Sequence, residues 1–171
     1  MAKKSAVSKK STPALNPTNN SLKPATREKV IALLNARLAD AIDLQLQAKQ
    51  AHWNVKGPNF IGLHELFDDV AAAVAGHVDE LAERAVALGG TAAGTTQVVA
   101  SATTLTPYPT GAQKWSTHVE RLSAALGSFG GNVREAIDKA EELGDAGTSD
   151  LFTSVSRDID KWTWFVEAHA Q

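Results

Sequence analysis

Histidines and carboxylates stand at helical spacing in the first half of this 171-residue chain. His64 and Asp68 are four residues apart, and the same spacing separates Asp79 from Glu83. Residues i and i+4 share one face of a helix, so each pair offers two ligands to one ion. The chain has no cysteine, which leaves His, Asp and Glu as ligands, a set that suits iron, zinc and manganese. The spacing therefore indicates metal chemistry.

The two pairs cannot bind the same ion within one chain. Asp68 and Asp79 would lie about 16 Å apart along a helix that rises about 1.5 Å per residue. A third ligand is available elsewhere, because His52 and His64 are each six residues from Pro58. An antiparallel helical hairpin that turns at Pro58 would bring both histidines to the same level.

A two-fold axis would complete the site. If two copies pack these hairpins antiparallel, the histidine-bearing half of one chain meets the carboxylate pair of the other. Two imidazoles and three carboxylates can hold one or two iron ions and leave positions open for an oxidant. The predicted ligands, which are also the predicted catalytic residues, are His52, His64 and Asp68 from one subunit and Asp79 and Glu83 from its mate.

The elements that would position these residues are long helices. Apolar residues recur at helical spacing in a first segment, about residues 27–55, which follows Thr26 as an N-cap and includes Leu46. A second helix is expected from Asn59 to the Gly89-Gly90 pair. The Gly57-Pro58 turn between them predicts an antiparallel pair.

A long connection, residues 91–109, follows, with a short helix expected around residues 98–100. Thr110 and Gln113 predict a capping box for a third helix, and a fourth is expected to begin near Thr148 or Ser149. Two helical hairpins joined by one long crossover form an all-α, ferritin-like four-helix bundle. The chain lacks the Glu-x-x-His motif of di-iron centres inside a bundle, which argues against an ordinary ferritin with such a centre.

Residues 1–26 differ from the predicted bundle, residues 27–171, because they contain five lysines and no acidic residue. We expect a flexible arm that neutralises DNA phosphates regardless of base sequence, the alternative being an arm that only improves solubility. The chain has no run of about 18 apolar residues and no apolar stretch of a signal peptide, so we expect a cytoplasmic protein without a membrane partner. The arm lysines are Lys3, Lys4, Lys9, Lys10 and Lys23.

Two long motifs carry a family resemblance. The chain reads KQAHWNVKGPNF at 49–60, LHE at 63–65 and VDELAERAVALGG at 78–90, with shorter matches GTTQ at 94–97, YP at 108–109, SRD at 156–158 and DK at 160–161. Over about residues 27–167 this pattern resembles the Dps family, the DNA-protection-during-starvation proteins or miniferritins. The resemblance implies a hollow homododecamer that oxidises Fe(II), prefers hydrogen peroxide as the oxidant, stores ferric mineral and protects DNA in the nucleoid.

The resemblance also assigns residues. It places the family's intersubunit iron ligands on the positions derived above, and Trp53 on an aromatic position beside the centre that traps stray oxidising equivalents. The family has acidic pores near the turn between the third and fourth helices, where Asp145 and Asp150 are candidates to line a pore that admits cations; the alternative is that they are solvated surface charges. The alternative function is a structural nucleoid protein that condenses DNA without significant ferroxidase activity.

Overall fold

The computed structural model of the chain describes residues 15–171 and contains four long helices and one short helix in that range. The helices are α1 (Pro24–Asn54), α2 (Phe60–Ala87), α3 (Thr96–Ala102), α4 (Trp115–Glu142) and α5 (Ala146–Glu167). α1 packs against α2 and α4 against α5; the two pairs meet through α1 with α4 and α2 with α5, while α3 lies on α1. The predicted all-α, ferritin-like bundle with a helix in its crossover is confirmed. No helix in residues 15–171 is both long and apolar enough to cross a bilayer.

The core lies between the four long helices. Phe67, Phe129 and Phe152 are completely buried there, and burial of a side chain of this size stabilises the fold by roughly 1.5–3 kcal/mol. Leu46 is an exception to the predicted apolar stripe of α1, since 55% of it is exposed. It lies seven residues before Trp53, on a face of α1 that points away from the core.

α1 begins three residues earlier than the sequence predicts. Lys23 is the N-cap and Pro24 occupies the first turn, where the missing N–H of proline costs no hydrogen bond and its fixed φ fits the helix. Thr26 therefore lies inside the helix and does not cap it.

The predicted capping box does not form at the start of α4. Lys114 is the N-cap, and its side chain makes no capping hydrogen bond. The backbone of Lys56 instead donates to the Gln113 oxygen at 3.0 Å and accepts from the Trp115 N–H at 3.2 Å. This bridge joins the α1–α2 turn to the beginning of α4, and the prediction that Thr110 starts the helix was wrong.

A buried carboxylate is one of the groups that attach the long crossover to the bundle. Asp40 on α1 is completely buried and forms an ion pair with Arg37 at 2.8 Å. It accepts a hydrogen bond from the Thr104 backbone N–H at 2.7 Å and another from the Asn132 side chain at 3.3 Å. Asp40 thus joins α1, the crossover and α4.

The described part of the N-terminal arm, residues 15–23, lies against the bundle. Leu15 and Leu22 pack on the core, and the Asn16 N–H donates to the Gly89 oxygen at 2.7 Å. Gly89 has a φ of 86°, a conformation that glycine adopts readily and that ends α2. These two leucines bury apolar surface, which is why the arm follows the bundle here, with Lys23 at the start of α1. The remaining arm lysines, Lys3, Lys4, Lys9 and Lys10, fall outside the described residues.

Candidate metal centre

His52 and His64 face each other across the α1–α2 hairpin. Their rings stack with centroids 3.8 Å apart and planes 21° from parallel. Nδ1 of His52 lies 2.7 Å from the backbone oxygen of His64, and Nδ1 of His64 lies 2.8 Å from the backbone oxygen of His52. A carbonyl oxygen only accepts hydrogen bonds, so each Nδ1 must carry a proton. In the neutral form of each ring, Nε2 therefore keeps the lone pair that a metal ion needs.

The turn that holds this pair is sterically fixed. Gly57 has a φ of 132°, and a Cβ atom at this position would lie 2.8 Å from Cδ1 of Trp115. A larger residue at position 57 would therefore be strained and would collide with the indole. On the other side, the Phe60 ring lies 5.1 Å from the His64 ring, centroid to centroid. These contacts bring the two histidines to the same level, as their equal distance from Pro58 predicts.

Asp68 lies one turn beyond His64 on an exposed part of α2, where it forms an ion pair with Lys49 of α1. The hydrogen bond from Lys49 lowers the pKa of Asp68 below its ordinary value, and the nearby His52 and His64 act in the same direction. The carboxylate is therefore ionised at neutral pH. Lys49 was missed by the sequence reasoning, although it stands three residues before His52 on one face of α1.

Asp79 and Glu83 are exposed on α2, one turn apart. Asp79 is about 16 Å from Asp68 along the helix axis, so one chain cannot bring the two carboxylates to the same ion. Across residues 15–171, no three or more His, Asp or Glu side chains gather closely enough to hold a metal ion. The chain thus carries separate parts of the predicted site, and it pairs His52 with His64 only.

The predicted ligands on α2 nevertheless share one face. At about 100° per residue, seven of the exposed positions of this helix, the three predicted carboxylate ligands among them, fall within a sector roughly 60° wide. They include two large apolar residues besides the carboxylates. This sector consists of Ile61, Glu65, Asp68, Ala72, Asp79, Glu83 and Val86.

Trp53 is 64% exposed and follows His52 directly in α1. The ammonium group of Lys49 lies 5.8 Å from the centroid of its indole. Because the same lysine pairs with Asp68, the indole, the ammonium group and the carboxylate are neighbours on the outer surface of the hairpin. Trp53 is therefore beside the predicted ligands of one half-site.

The structure gives Asp145 a different role from the predicted pore. Asp145 is buried, accepts hydrogen bonds from Arg84 at 2.8 and 3.1 Å, and caps α5 by accepting from the Thr148 N–H at 3.2 Å. α5 therefore begins at this cap, before the predicted start at Thr148 or Ser149. Asp150 is exposed and lines a surface pocket together with Glu141 and Ser149. Only Asp150 of the predicted pore pair presents a free carboxylate.

Comparison with known proteins gives the class and then the family. A family model for the ferritin-like domain matches residues 31–171, which defines the bundle as ferritin-like. A DNA protection during starvation protein of Agrobacterium fabrum is 48% identical over 154 residues, covering 90% of this chain and 95% of that protein. The chain belongs to the Dps family of ferritin-like proteins.

Two solved structures share the whole fold. DpsC from Streptomyces coelicolor superimposes with a TM-score of 0.89 at 31% identity and 96% coverage of each chain. The tetragonal form of Mycobacterium smegmatis Dps superimposes with a TM-score of 0.84 at 33% identity, covering 93% of this chain and 94% of that one. The similarity extends well beyond the helical hairpin that carries the candidate site.

Proposed function

We propose that this protein oxidises Fe(II) with hydrogen peroxide at sites shared between two subunits, stores the ferric product in a hollow homododecamer and protects DNA. The observation that carries the proposal is the His52–His64 pair, whose Nδ1 atoms are both hydrogen-bonded to backbone oxygens, with the ionised Asp68 one helical turn from His64. Iron storage and DNA protection are general functions of the Dps family. Iron is the substrate here, and one or two ions would bind at each shared site.

The register of α2 supports the sharing of the site. His64 and Glu83 are centred on the peptide bond between Ala73 and Val74, and so are Asp68 and Asp79. In an antiparallel pair related by a two-fold axis, residues equally far from the axis lie opposite each other. One axis at this peptide bond would therefore place His64 opposite Glu83 of the partner subunit and Asp68 opposite Asp79 of the partner subunit.

Exposed apolar side chains on the same two helices support such an interface. Leu46 and Trp53 on α1 are 55% and 64% exposed, and Ile61 and Val86 on α2 are 60% and 54% exposed. Side chains of this size exposed together on one hairpin are typical of a surface that another protein covers. A second copy packed on α1 and α2 would bury them and complete the iron site in the same step.

The donor set suits the proposed chemistry. Imidazole nitrogens and carboxylates bind both Fe(II) and Fe(III), and they leave coordination positions open for hydrogen peroxide. Peroxide accepts two electrons, one from each of two Fe(II) ions. Lys49 now balances the charge of Asp68, and an arriving cation would replace its ammonium group without leaving the carboxylate unpaired.

DNA protection would have two parts. Removal of Fe(II) and peroxide prevents their reaction beside DNA, and the lysine-rich arm would bind DNA phosphates without sequence preference. Twelve arms on one particle would bind one DNA molecule together, which strengthens weak individual contacts. The arm also favours the second candidate function, DNA condensation in the nucleoid without significant ferroxidase activity.

Iron-oxidation kinetics separate the two functions. Fe(II) is added anaerobically, hydrogen peroxide is injected, and formation of Fe(III) is followed by absorbance at matched subunit concentration. We expect the variant with His52→Ala and His64→Ala to oxidise iron at least about tenfold more slowly than the wild type. His169→Ala, near the chain end, is the control and should match the wild type. Equal rates in all three proteins would favour the DNA-condensing function.

A further inference from the structure

The single tyrosine of the chain forms a pair with a buried histidine. The hydroxyl of Tyr108, in the crossover, lies 2.8 Å from Nδ1 of His118 on α4, and the ring centroids are 6.0 Å apart. His118 is completely buried and Tyr108 partly so. Neither residue belongs to the candidate metal centre. A partly buried phenol hydrogen-bonded to a buried imidazole is an arrangement in which a proton and an electron can leave together.

The direction of this hydrogen bond follows from the other side of the imidazole. The backbone oxygens of Ala112 and Asn54 lie near the ring and favour a proton on it, although Nε2 makes no hydrogen bond of good geometry. A neutral imidazole carries one proton, and a proton on Nε2 leaves the Nδ1 lone pair facing the Tyr108 hydroxyl. Nδ1 is then the acceptor, and the Tyr108 hydroxyl donates to it.

Burial sets the protonation states of His118 and Tyr108. It lowers the pKa of His118, so the imidazole is neutral at neutral pH and able to take up a proton. Burial also raises the pKa of Tyr108, against a smaller opposite effect of Arg121, so the phenol remains protonated. Loss of an electron from Tyr108 would make its hydroxyl strongly acidic, and His118 is the base in contact with it.

The pair packs against the two helices that carry the candidate metal centre. The His118 ring is 6.5 Å from the Phe67 ring, centroid to centroid, and Phe67 precedes Asp68 in α2. Asn54, whose backbone oxygen is near His118, follows His52 by two residues. Two short paths through the core therefore connect Tyr108 and His118 to the two helices that carry the iron ligands.

We propose that Tyr108 and His118 form a proton-coupled redox relay that donates one electron to the oxidant formed when hydrogen peroxide meets a single Fe(II) ion. This inference rests on the proposed ferroxidase function and adds a site to it. The relay would act when only one Fe(II) ion occupies the site as peroxide arrives. Reduction of peroxide by one electron then yields hydroxide and a hydroxyl radical equivalent. That equivalent would otherwise attack the protein or the bound DNA.

The electron balance of the relay is complete. Fe(II) gives one electron to hydrogen peroxide and becomes Fe(III), and Tyr108 gives a second electron, so that peroxide ends as two hydroxide ions. The phenolic proton moves to Nδ1 of His118, which leaves a neutral tyrosyl radical beside an imidazolium. A second Fe(II) ion then returns one electron to the radical, and the proton moves back from His118 to Tyr108. The net reaction is oxidation of two Fe(II) ions by one peroxide.

The test uses the intact oligomer, loaded anaerobically with one Fe(II) ion per shared site. The protein is then mixed with excess peroxide and frozen for electron paramagnetic resonance. We expect a tyrosyl radical whose spectrum narrows when the protein contains ring-deuterated tyrosine. Because the chain has one tyrosine, the signal can be assigned to position 108. In Tyr108→Phe, which keeps the ring, the signal should be lost and spin-trapped hydroxyl radical should increase several-fold. Trp164→Phe, an exposed aromatic on α5, is the control and should keep the tyrosyl signal.

The outcomes separate this inference from the proposed function. Normal iron oxidation without a tyrosyl radical, or with a radical on tryptophan alone, would overturn the relay and leave the ferroxidase function intact. Absence of iron oxidation would overturn both. An equal yield of trapped hydroxyl radical in wild type and Tyr108→Phe would also overturn the relay, because Tyr108 would then compete for none of the oxidant.

Discussion

Nδ1 of His52 is hydrogen-bonded to the backbone oxygen of His64 at 2.7 Å, and Nδ1 of His64 to the backbone oxygen of His52 at 2.8 Å. The two residues therefore fix each other's tautomer and orientation. The groups that orient a metal-binding histidine usually come from elsewhere in a protein. Here each of the two predicted ligands orients the other. Loss of either histidine should therefore disturb both, and the two substitutions should be far from additive in their effect on iron oxidation.

The first prediction concerns the tautomers. In the iron-free protein at alkaline pH, long-range proton–nitrogen NMR should show the proton of both His52 and His64 on Nδ1, because a carbonyl oxygen requires a donor. His169, near the chain end, provides a reference for an unconstrained imidazole. A proton on Nε2 of either hairpin histidine would contradict the geometry and remove that nitrogen from the ligand set.

The second prediction distinguishes a structural role of Asp145 from a role of Asp150 in iron entry at the α4–α5 turn. Asp145→Ala removes the α5 cap and the partner of Arg84, and it should lower the free energy of unfolding by roughly 2–3 kcal/mol. Asp150→Asn should change that free energy by less than about 0.5 kcal/mol but slow iron uptake. Urea unfolding at matched subunit concentration and uptake kinetics measure the two effects. Unchanged uptake in Asp150→Asn would exclude an entry route there.

The third prediction is a pH dependence of stability. Burial lowers the pKa of His118 in the folded chain, so the unfolded chain binds this proton more readily. The contribution of neutral His118 is complete above the unfolded pKa of about 6.5 and is lost as the pH falls towards the folded pKa. Urea unfolding between neutral and mildly acidic pH should show a shallower decline in His118→Gln than in the wild type. An equal decline of stability in the wild type and His118→Gln would contradict this prediction. His169→Gln is the control.

The fourth prediction concerns the arm. Replacing its four outermost lysines with glutamine should weaken DNA binding and flatten its dependence on salt, because fewer counterions are released. The control makes the same charge change on the bundle, at the exposed Lys29, Lys56, Lys114 and Lys139. Fluorescence anisotropy with an unrelated pair of DNA duplexes measures affinity and sequence preference. An equal loss in both variants would contradict a specific role for the arm. The arm lysines replaced are Lys3, Lys4, Lys9 and Lys10.

Local patterns in the sequence were sufficient for much of the fold. The helical stripes, the turn at Gly57-Pro58 and the Gly89-Gly90 stop placed α1 and α2 within a few residues, because periodicity and turn chemistry are local properties. Counting residues from Pro58 also placed His52 opposite His64. Sequence spacing could not reveal that the two rings exchange hydrogen bonds with each other's backbone.

The features that the sequence did not reveal are contacts between distant parts of the chain. The start of α4 depends on a backbone bridge to Lys56, nearly sixty residues earlier, and so no local capping pattern could locate it. Asp145 looked like a free carboxylate because its partner Arg84 lies on another helix. The Tyr108–His118 pair likewise joins a crossover residue to a helix, and neither residue type alone indicates the pairing.

The most direct test of the shared iron site mixes two inactive variants. One carries His52→Ala and His64→Ala, and the other carries Asp79→Asn and Glu83→Gln. After the separated subunits are mixed equally and reassembled, half of the dimers contain both variants and have one intact site, so we predict about a quarter of the wild-type rate of Fe(II) oxidation by peroxide. If the mixture oxidises iron no faster than the two variants measured separately, the site is not shared between subunits and the account is contradicted.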